Sequence, residues 1–416
     1  MADTKRILIL TADAGFGHRS AANAVAAALR DTYGDACAVE IVNPLESKRA
    51  PAILRDSQSD YDKMVRQMPD LYKFGYKASD APVPATVVES ALTVMLFDTM
   101  YSLVRRRRPE AIVITYPIYQ APLGAVYVVR GRYVPLLTVV TDLATVHRVW
   151  FHDSADLCLV PTTKVRDLAL KYGLPAQKVH VTGIPVRPEL AREDWDPPAI
   201  RANMGWRSDL RTVLAVGSKR VGRLPEVLRA LNHSGLPLQL VVVAGGDDEL
   251  YHQLQETEWH VPTHLYNFVT DLPSFMHAAD CIICKAGGLI VSEALACGLP
   301  LLLIDVLPGQ ETGNATYVIE GGASERAADG LAALEILHHW LDRDGALLAE
   351  RARNARRLGC PHAAYDVAER AWAAAERGPS ARTGILGRSN LIDLLTRHGV
   401  LGKGKEIEGT SEGPTD

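Results

Sequence analysis

Short, almost purely apolar runs recur along this chain with helix-length stretches between them, and that alternation restricts the fold more than any other feature. "RILIL", "AIVITYP", "PLLTVVTDL" and "DLCLVPT" come first; "RTVLAVGS", "LQLVVVAGG", "DCIICKAGG" and "PLLLIDV" follow. A strand that is apolar throughout must be covered on both faces, which is the condition of a parallel strand flanked by helices. The runs fall into two sets. Between them lies "GIPVRPELAREDWDPPAIRANMGWRSDL", whose prolines, tryptophans and charges read as a linker. The pattern predicts an α/β chain of two Rossmann-like domains whose parallel sheets face a cleft. The expected boundaries are an N-terminal domain over 1–190, a linker over 191–210 and a second domain over 211–360. A helix over 361–378 is expected to return to the first domain, followed by a partly disordered tail over 379–416. A length of 416 residues agrees with two cores rather than one.

A net charge of −4 exerts no global pull on nucleic acid, so no nucleic-acid partner is expected. Six cysteines without framework spacing point to reduced thiols, and Cys281 and Cys284 form a CxxC inside what reads as a buried strand. "MADTKRILIL" lacks a signal-peptide pattern, and no run of about 20 apolar residues is present. These readings place the protein in the cytoplasm, peripheral on the inner face of the cell membrane. A local basic patch supports a membrane surface: "ESALTVMLFDTMYSLVRRRRP" ends in Arg105, Arg106, Arg107 and Arg108. The four arginines either complement a helix C-terminus or contact anionic lipid headgroups, with Phe97, Met100, Tyr101 and Leu103 burying into the interface.

Glycine turns stand where the apolar runs end. In "TADAGFGHRSAA", Gly15 and Gly17 let backbone amides approach a ligand between a strand and the alanine-rich helix from Ala21. In the second set, "CKAGGLIVSEALACGLP" puts Gly287 and Gly288 at a strand end, where free N–H groups suit a diphosphate. Glu293 follows one turn in and suits two ribose hydroxyls; Gln310, Glu311 and Asn314 line one loop and helix start, matched to a sugar. Each residue alone also reads as a cap or a solvated helix position. No carboxylate cluster suits a metal-held donor, so no metal or other cofactor is expected.

Through "TADAGFGHRSAA", "TYPIYQAPL", "VVTDLATVHRVWFHDSADLCLVPT", "TGIPVRP", "AADCIICKAGG" and "LPGQETGN", the chain resembles the monogalactosyldiacylglycerol synthase family. More broadly it is similar to the processive diacylglycerol glycosyltransferases and to the GlcNAc transferase that forms lipid II. The resemblance implies a GT-B fold and inverting transfer of a hexose from UDP-galactose or UDP-glucose to the free hydroxyl of diacylglycerol. It implies Asp13 as the base and His18 as the residue that orients the acceptor or relays its proton, with His18 as the competing base. On the donor side it implies Ser218 and Lys219 near the phosphates, Phe268 at the uracil, Glu293 at the ribose, and Gln310, Glu311 and Asn314 at the sugar, with Lys285 near the leaving diphosphate. Arg19, Pro117, Gln120, Asp142, His147, Trp150 and His152 fill the acceptor side, although His147 and His152 also read as packed residues and Asp142 as a strand end.

Two departures bear on the donor. Phe16 stands where the galactosyl group tends to have a third glycine, and "VGSKRVG" replaces its phosphate loop. Galactose and glucose therefore both stay open, as do a UDP-sugar epimerase and a non-catalytic UDP-sugar sensor or scaffold on the same architecture.

Overall fold

Parallel pairing is what the computed structural model shows. It describes residues 4–13, 16–52, 54–55, 82–219, 221–307 and 309–381. The strands are β1 (Lys5–Leu10), β2 (Cys37–Val42), β3 (Ala111–Ile114), β4 (Arg132–Tyr133), β5 (Leu136–Val139), β6 (Leu157–Val160) and β7 (Val179–Val181), then β8 (Arg211–Val216), β9 (Leu238–Val243), β10 (Thr263–Tyr266), β11 (Cys281–Lys285), β12 (Leu301–Asp305), β13 (Ser324–Arg326) and β14 (Ser380–Ala381). One sheet has the order β2-β1-β3-β5-β6-β7 and the other β10-β9-β8-β11-β12-β13. All neighbours within each are parallel.

The chain divides into two units. The first holds Met1–Thr141, Val146–Pro185 and Ala364–Asp416; the second holds Asp142–Thr145 and Val186–Ala363. In the first sheet the strand order reverses between β1 and β3, and in the second between β8 and β11. Chain leaving neighbouring strands at such a point departs to opposite faces and opens a crevice outside the carboxyl ends. The glycine turns named above follow β1 and β11.

Alternation along β1 explains the first unit's core. Leu8 and Leu10 pack with Ile112, Ile114 and the helix Pro82–Arg107, while Ile7 and Ile9 pack with Val113 and the alanines of the helix Phe16–Tyr33. Ala364, Val367, Ala368, Ala371 and Ala375, from the helix Ala363–Arg377, share that second face. Small side chains on both helices let their backbones lie close to the sheet. β14 pairs antiparallel with β4, and the rest of the tail lies outside the described residues.

Burial corrects one expectation. Phe97 and Met100 are fully buried and Leu103 is buried, all in the core around Leu8 and Ile112, with Tyr101 packed against them. The apolar face of this helix covers a sheet and is not available to a membrane interface. Among the described residues no helix is long and apolar enough to cross a membrane. Cys281 and Cys284 are free and buried in β11, and burial pushes the Cys284 thiol up to about 12, which removes thiolate chemistry near neutrality.

Candidate active site

The first unit gathers Asp13, His18 and Arg19 just beyond β1. Its helix starts at Phe16, earlier than the alanine run predicts, so Gly17, His18 and Arg19 sit in the first turn, where backbone N–H groups have no intrahelical partner. Gly15 lies outside the described residues. Asp13 is partly exposed, and Arg19 forks onto it: Nε donates to Oδ1 and an NH2 group to Oδ2, both at 2.8 Å. These hydrogen bonds hold its carboxyl below the usual carboxylate range. Asn43 Nδ2 donates to the same Oδ2 at 3.0 Å.

His18 is held on several sides. Its Nδ1 lies 3.0 Å from the Thr141 hydroxyl, Thr115 Oγ1 donates to its backbone carbonyl, and Tyr116 meets its ring edge-on with centroids 5.0 Å apart. Burial pushes its pKa down to about 4, against a weaker opposing pull from the Thr115 backbone. The ring is therefore neutral at pH 7.

His147 and His152 share one device. Nδ1 of His147 accepts the Val149 N–H and Nδ1 of His152 accepts the Ser154 N–H, each at 3.1 Å. A backbone N–H only donates, so in each ring, when neutral, the hydrogen sits on Nε2. Gln120, buried beside them, donates from Nε2 to the carbonyls of Val149 and Trp150 and fixes the turn Arg148–Trp150. Pro117 opens the turn Pro117–Tyr119 and is buried.

In the second unit, several of the residues expected to hold the donor lie at the carboxyl ends of strands. Ser218 and Lys219 follow β8, and Lys285 ends β11. Gly287 caps the helix Gly288–Ala296, where a Cβ would lie 2.9 Å from Lys285 Nζ. Glu293 is buried one turn in. Burial pushes its carboxyl up to about 7, opposed by Arg187, whose Nε lies 3.7 Å from Oε1. Arg187 also donates to the Thr270 carbonyl at 2.7 Å. Phe268 is 67% exposed beyond β10, an unusual position for a phenylalanine and an open apolar surface.

Here the structure rearranges the sequence reading. Glu311 Oε1 pairs with Lys285 and Oε2 accepts the Leu307 N–H at 3.0 Å. Asn314 has no exposed surface; its Oδ1 accepts the Leu143 N–H at 2.8 Å and its Nδ2 donates to the Ala286 carbonyl. Both side chains spend their polar atoms on this unit's own chain, not on an open face. Asp142, expected on the acceptor side, belongs to this second unit and bonds the Asn314 amide. Burial, with the nearby Glu311 charge, pushes Asp142 up to about 7. Gln310 starts the helix Gln310–Glu320, and its side chain is outside the described residues. Gly309, before it, has a φ of 107°, which favours glycine.

Arg105, Arg106, Arg107 and Arg108 are exposed and immediately precede β3, at the amino end of the first sheet. Asp13 and His18 lie at the carboxyl end. Arg107 pairs with Glu40 at 2.8 Å.

Sequence and structure comparisons bear on this arrangement. Residues 18–186 match the family model for monogalactosyldiacylglycerol (MGDG) synthase and residues 198–343 that for glycosyl transferases group 1. Monogalactosyldiacylglycerol synthase 2 of Arabidopsis thaliana is 32% identical over 94% of this chain and 86% of its own length. A probable monogalactosyldiacylglycerol synthase 2 of Oryza sativa is 32% identical over 88% and 80%. The chain belongs to the MGDG synthase family. Its fold is GT-B: MurG of Acinetobacter baumannii, 15% identical, superposes with a TM-score of 0.58 over 89% of this chain and 99% of MurG. As a member of the MGDG synthase family it is a glycosyltransferase. The relatives also correct the location read from the sequence. They are named chloroplastic, so family membership does not support a cytoplasmic place on the inner face of a cell membrane.

Sequence reasoning passed over Asn43, Thr141 and Arg187. Asn43 stands in an Asn-Pro pair, a turn signal that carries no hint of a carboxylate partner. Arg187 stands in "TGIPVRP", a run that carries the family resemblance without marking the arginine.

Proposed function

We propose that this protein transfers a hexose from a UDP-sugar to the free hydroxyl of diacylglycerol with inversion, making a β-monoglycosyldiacylglycerol. Similarity to MGDG synthases along nearly the whole chain carries this reading, and their name favours galactose. A UDP-sugar epimerase or a sensor lacks that support. In this reading the second unit takes the donor: Gly287 and Gly288 offer amides at a helix N-terminus to the diphosphate, Lys285 lends charge, Glu293 takes the ribose hydroxyls and Phe268 flanks the uracil. Aligned amides and lysines then do the work of a cation, and no metal is required.

Asp13 serves as the base. It is ionised at neutral pH and partly exposed, whereas His18 would have to acquire its charge in a buried place. The acceptor oxygen attacks the anomeric carbon as Asp13 takes its proton, and the bond to UDP breaks on the opposite face. His18, His147 and His152 orient the acceptor. The test is a product assay with UDP-galactose and UDP-glucose, each against diacylglycerol and monoglycosyldiacylglycerol. β-Monogalactosyldiacylglycerol formed from UDP-galactose and diacylglycerol supports the reading. No lipid product from either sugar, or an epimerised UDP-sugar formed without lipid, overturns it.

A further inference from the structure

Asn43 is a buried amide with both ends committed, and its commitments link a turn to the carboxylate of Asp13. It follows β2 and caps the turn Pro44–Glu46, with Oδ1 accepting the Leu45 N–H at 3.1 Å. A backbone N–H cannot accept, so the amide is fixed with its nitrogen on the other side. That nitrogen donates to Asp13 Oδ2 at 3.0 Å and to Glu46 Oε1 at 3.2 Å. One NH2 group thus bridges the carboxyl groups of Asp13 and Glu46.

Arg19 spans the same pair, 2.8 Å from Asp13 and 3.9 Å from Glu46. Around Asp13 the described charged and titratable neighbours include Arg19 on the helix, Glu46 on the turn, whose side chain also hydrogen-bonds Asp13, and the buried Tyr119 phenol, which donates to the Thr11 carbonyl. The side-chain requirement at position 43 is narrow. It calls for an acceptor for a backbone N–H and two donors for carboxylates, and among short side chains only asparagine supplies both.

We infer that Asn43 is a positioning residue for Asp13: its NH2 group fixes the rotation of the Asp13 carboxylate and keeps Glu46 from displacing it on Arg19. Without the amide, Asp13 keeps the Arg19 fork but loses the hydrogen bond that ties its Oδ2 to the turn. The kinetic part of this inference rests on Asp13 acting as the base of the proposed transfer; the structural part does not.

Two variants separate capping from positioning. Asn43→Asp keeps a strong cap acceptor but replaces the NH2 group with a negative charge beside Asp13; Asn43→Ser keeps a cap and removes the NH2 group without adding charge. The first measurement is the titration of the Asp13 carboxyl, followed by carbon NMR in the full-length protein without substrate. Asn43→Asp is expected to raise it, because a like charge at hydrogen-bond distance disfavours ionisation. The second is kcat against pH, where Asn43→Asp is expected to move the acid limb upward. Asn43→Ser is expected to lower kcat roughly threefold to tenfold with donor KM within about twofold, the effect of one lost hydrogen bond. An Asp13 titration unchanged in Asn43→Asp overturns the inference. If the titration rises but kcat and its acid limb stay fixed in both variants, the positioning stands and the assignment of Asp13 as base falls.

Discussion

Arg19 grips Asp13 with two parallel hydrogen bonds of 2.8 Å. A fork of this kind orients a carboxylate better than a single contact and makes it a weaker base than an unpaired one. The arrangement therefore favours geometry over basicity, which fits the role of base proposed for Asp13.

Asp13→Asn is expected to lower kcat by about 10²–10⁴, the usual worth of a general base, with UDP affinity nearly unchanged by titration calorimetry. Arg19→Gln removes the fork and should raise the Asp13 pKa, so the acid limb of kcat/KM moves to higher pH. A limb that moves down or stays would detach Arg19 from the basicity of Asp13.

If Glu293 holds the ribose as proposed, nucleotide binding should depend on pH. Its carboxyl, pushed up to about 7, is substantially protonated at pH 6 and mostly ionised at pH 8. Ribose hydroxyls donate more strongly to the ionised form, so UDP should bind more tightly as pH rises from 6 to 8. Glu293→Gln should weaken binding at pH 8 by about tenfold, within the range of a charged hydrogen bond, and show a flatter pH dependence. Equal slopes in the two proteins would remove Glu293 from the nucleotide site.

Stability should carry the mark of Asp142. An acid whose folded pKa is raised from 3.8 to about 7 holds its proton more tightly in the folded state. Its contribution is complete below the unfolded value and is lost as pH rises toward 7. Asp142→Asn should therefore melt higher than the parent at pH 8, and the gap should shrink by a few degrees at pH 5, as followed by calorimetry.

Gly313 sets helix propensity against packing. In the helix Gln310–Glu320, alanine in place of glycine would normally stabilise by about 1 kcal/mol. Here its Cβ would collide with Thr145 Oγ1 and lie 2.6 Å from the Thr145 backbone N. Contact with backbone cannot be relieved by a rotamer change, so Gly313→Ala should destabilise by about 1–3 kcal/mol in urea unfolding. A stabilised variant would show that the Asp142–Thr145 segment yields.

The arginine run gives a test of membrane contact. Replacing Arg105, Arg106, Arg107 and Arg108 with glutamine should weaken binding to anionic vesicles, and the difference should fade as salt rises. Arg107 already pairs with Glu40, so its share should be the smallest. Vesicle binding that is unchanged at low salt would confine these arginines to the helix end.

The sequence by itself determined the two parallel sheets, because an uninterrupted apolar run needs cover on both faces and that need is written locally in each strand. It also marked where the chain leaves β1 and β11, through the glycines that end those apolar runs. It did not determine which groups meet. Asn43 and Asp13 stand 30 positions apart, and Asn314 and Leu143 171 apart, so their hydrogen bonds exist only once the strands are ordered. By sequence, Phe97, Met100, Tyr101 and Leu103 of the helix Pro82–Arg107 suited a membrane interface, and the sheet beneath the helix takes that face instead. Tertiary structure decided the partner and burial of each polar side chain. Hydrophobic periodicity is a property of neighbours along the chain, whereas pairing and desolvation are properties of neighbours in space.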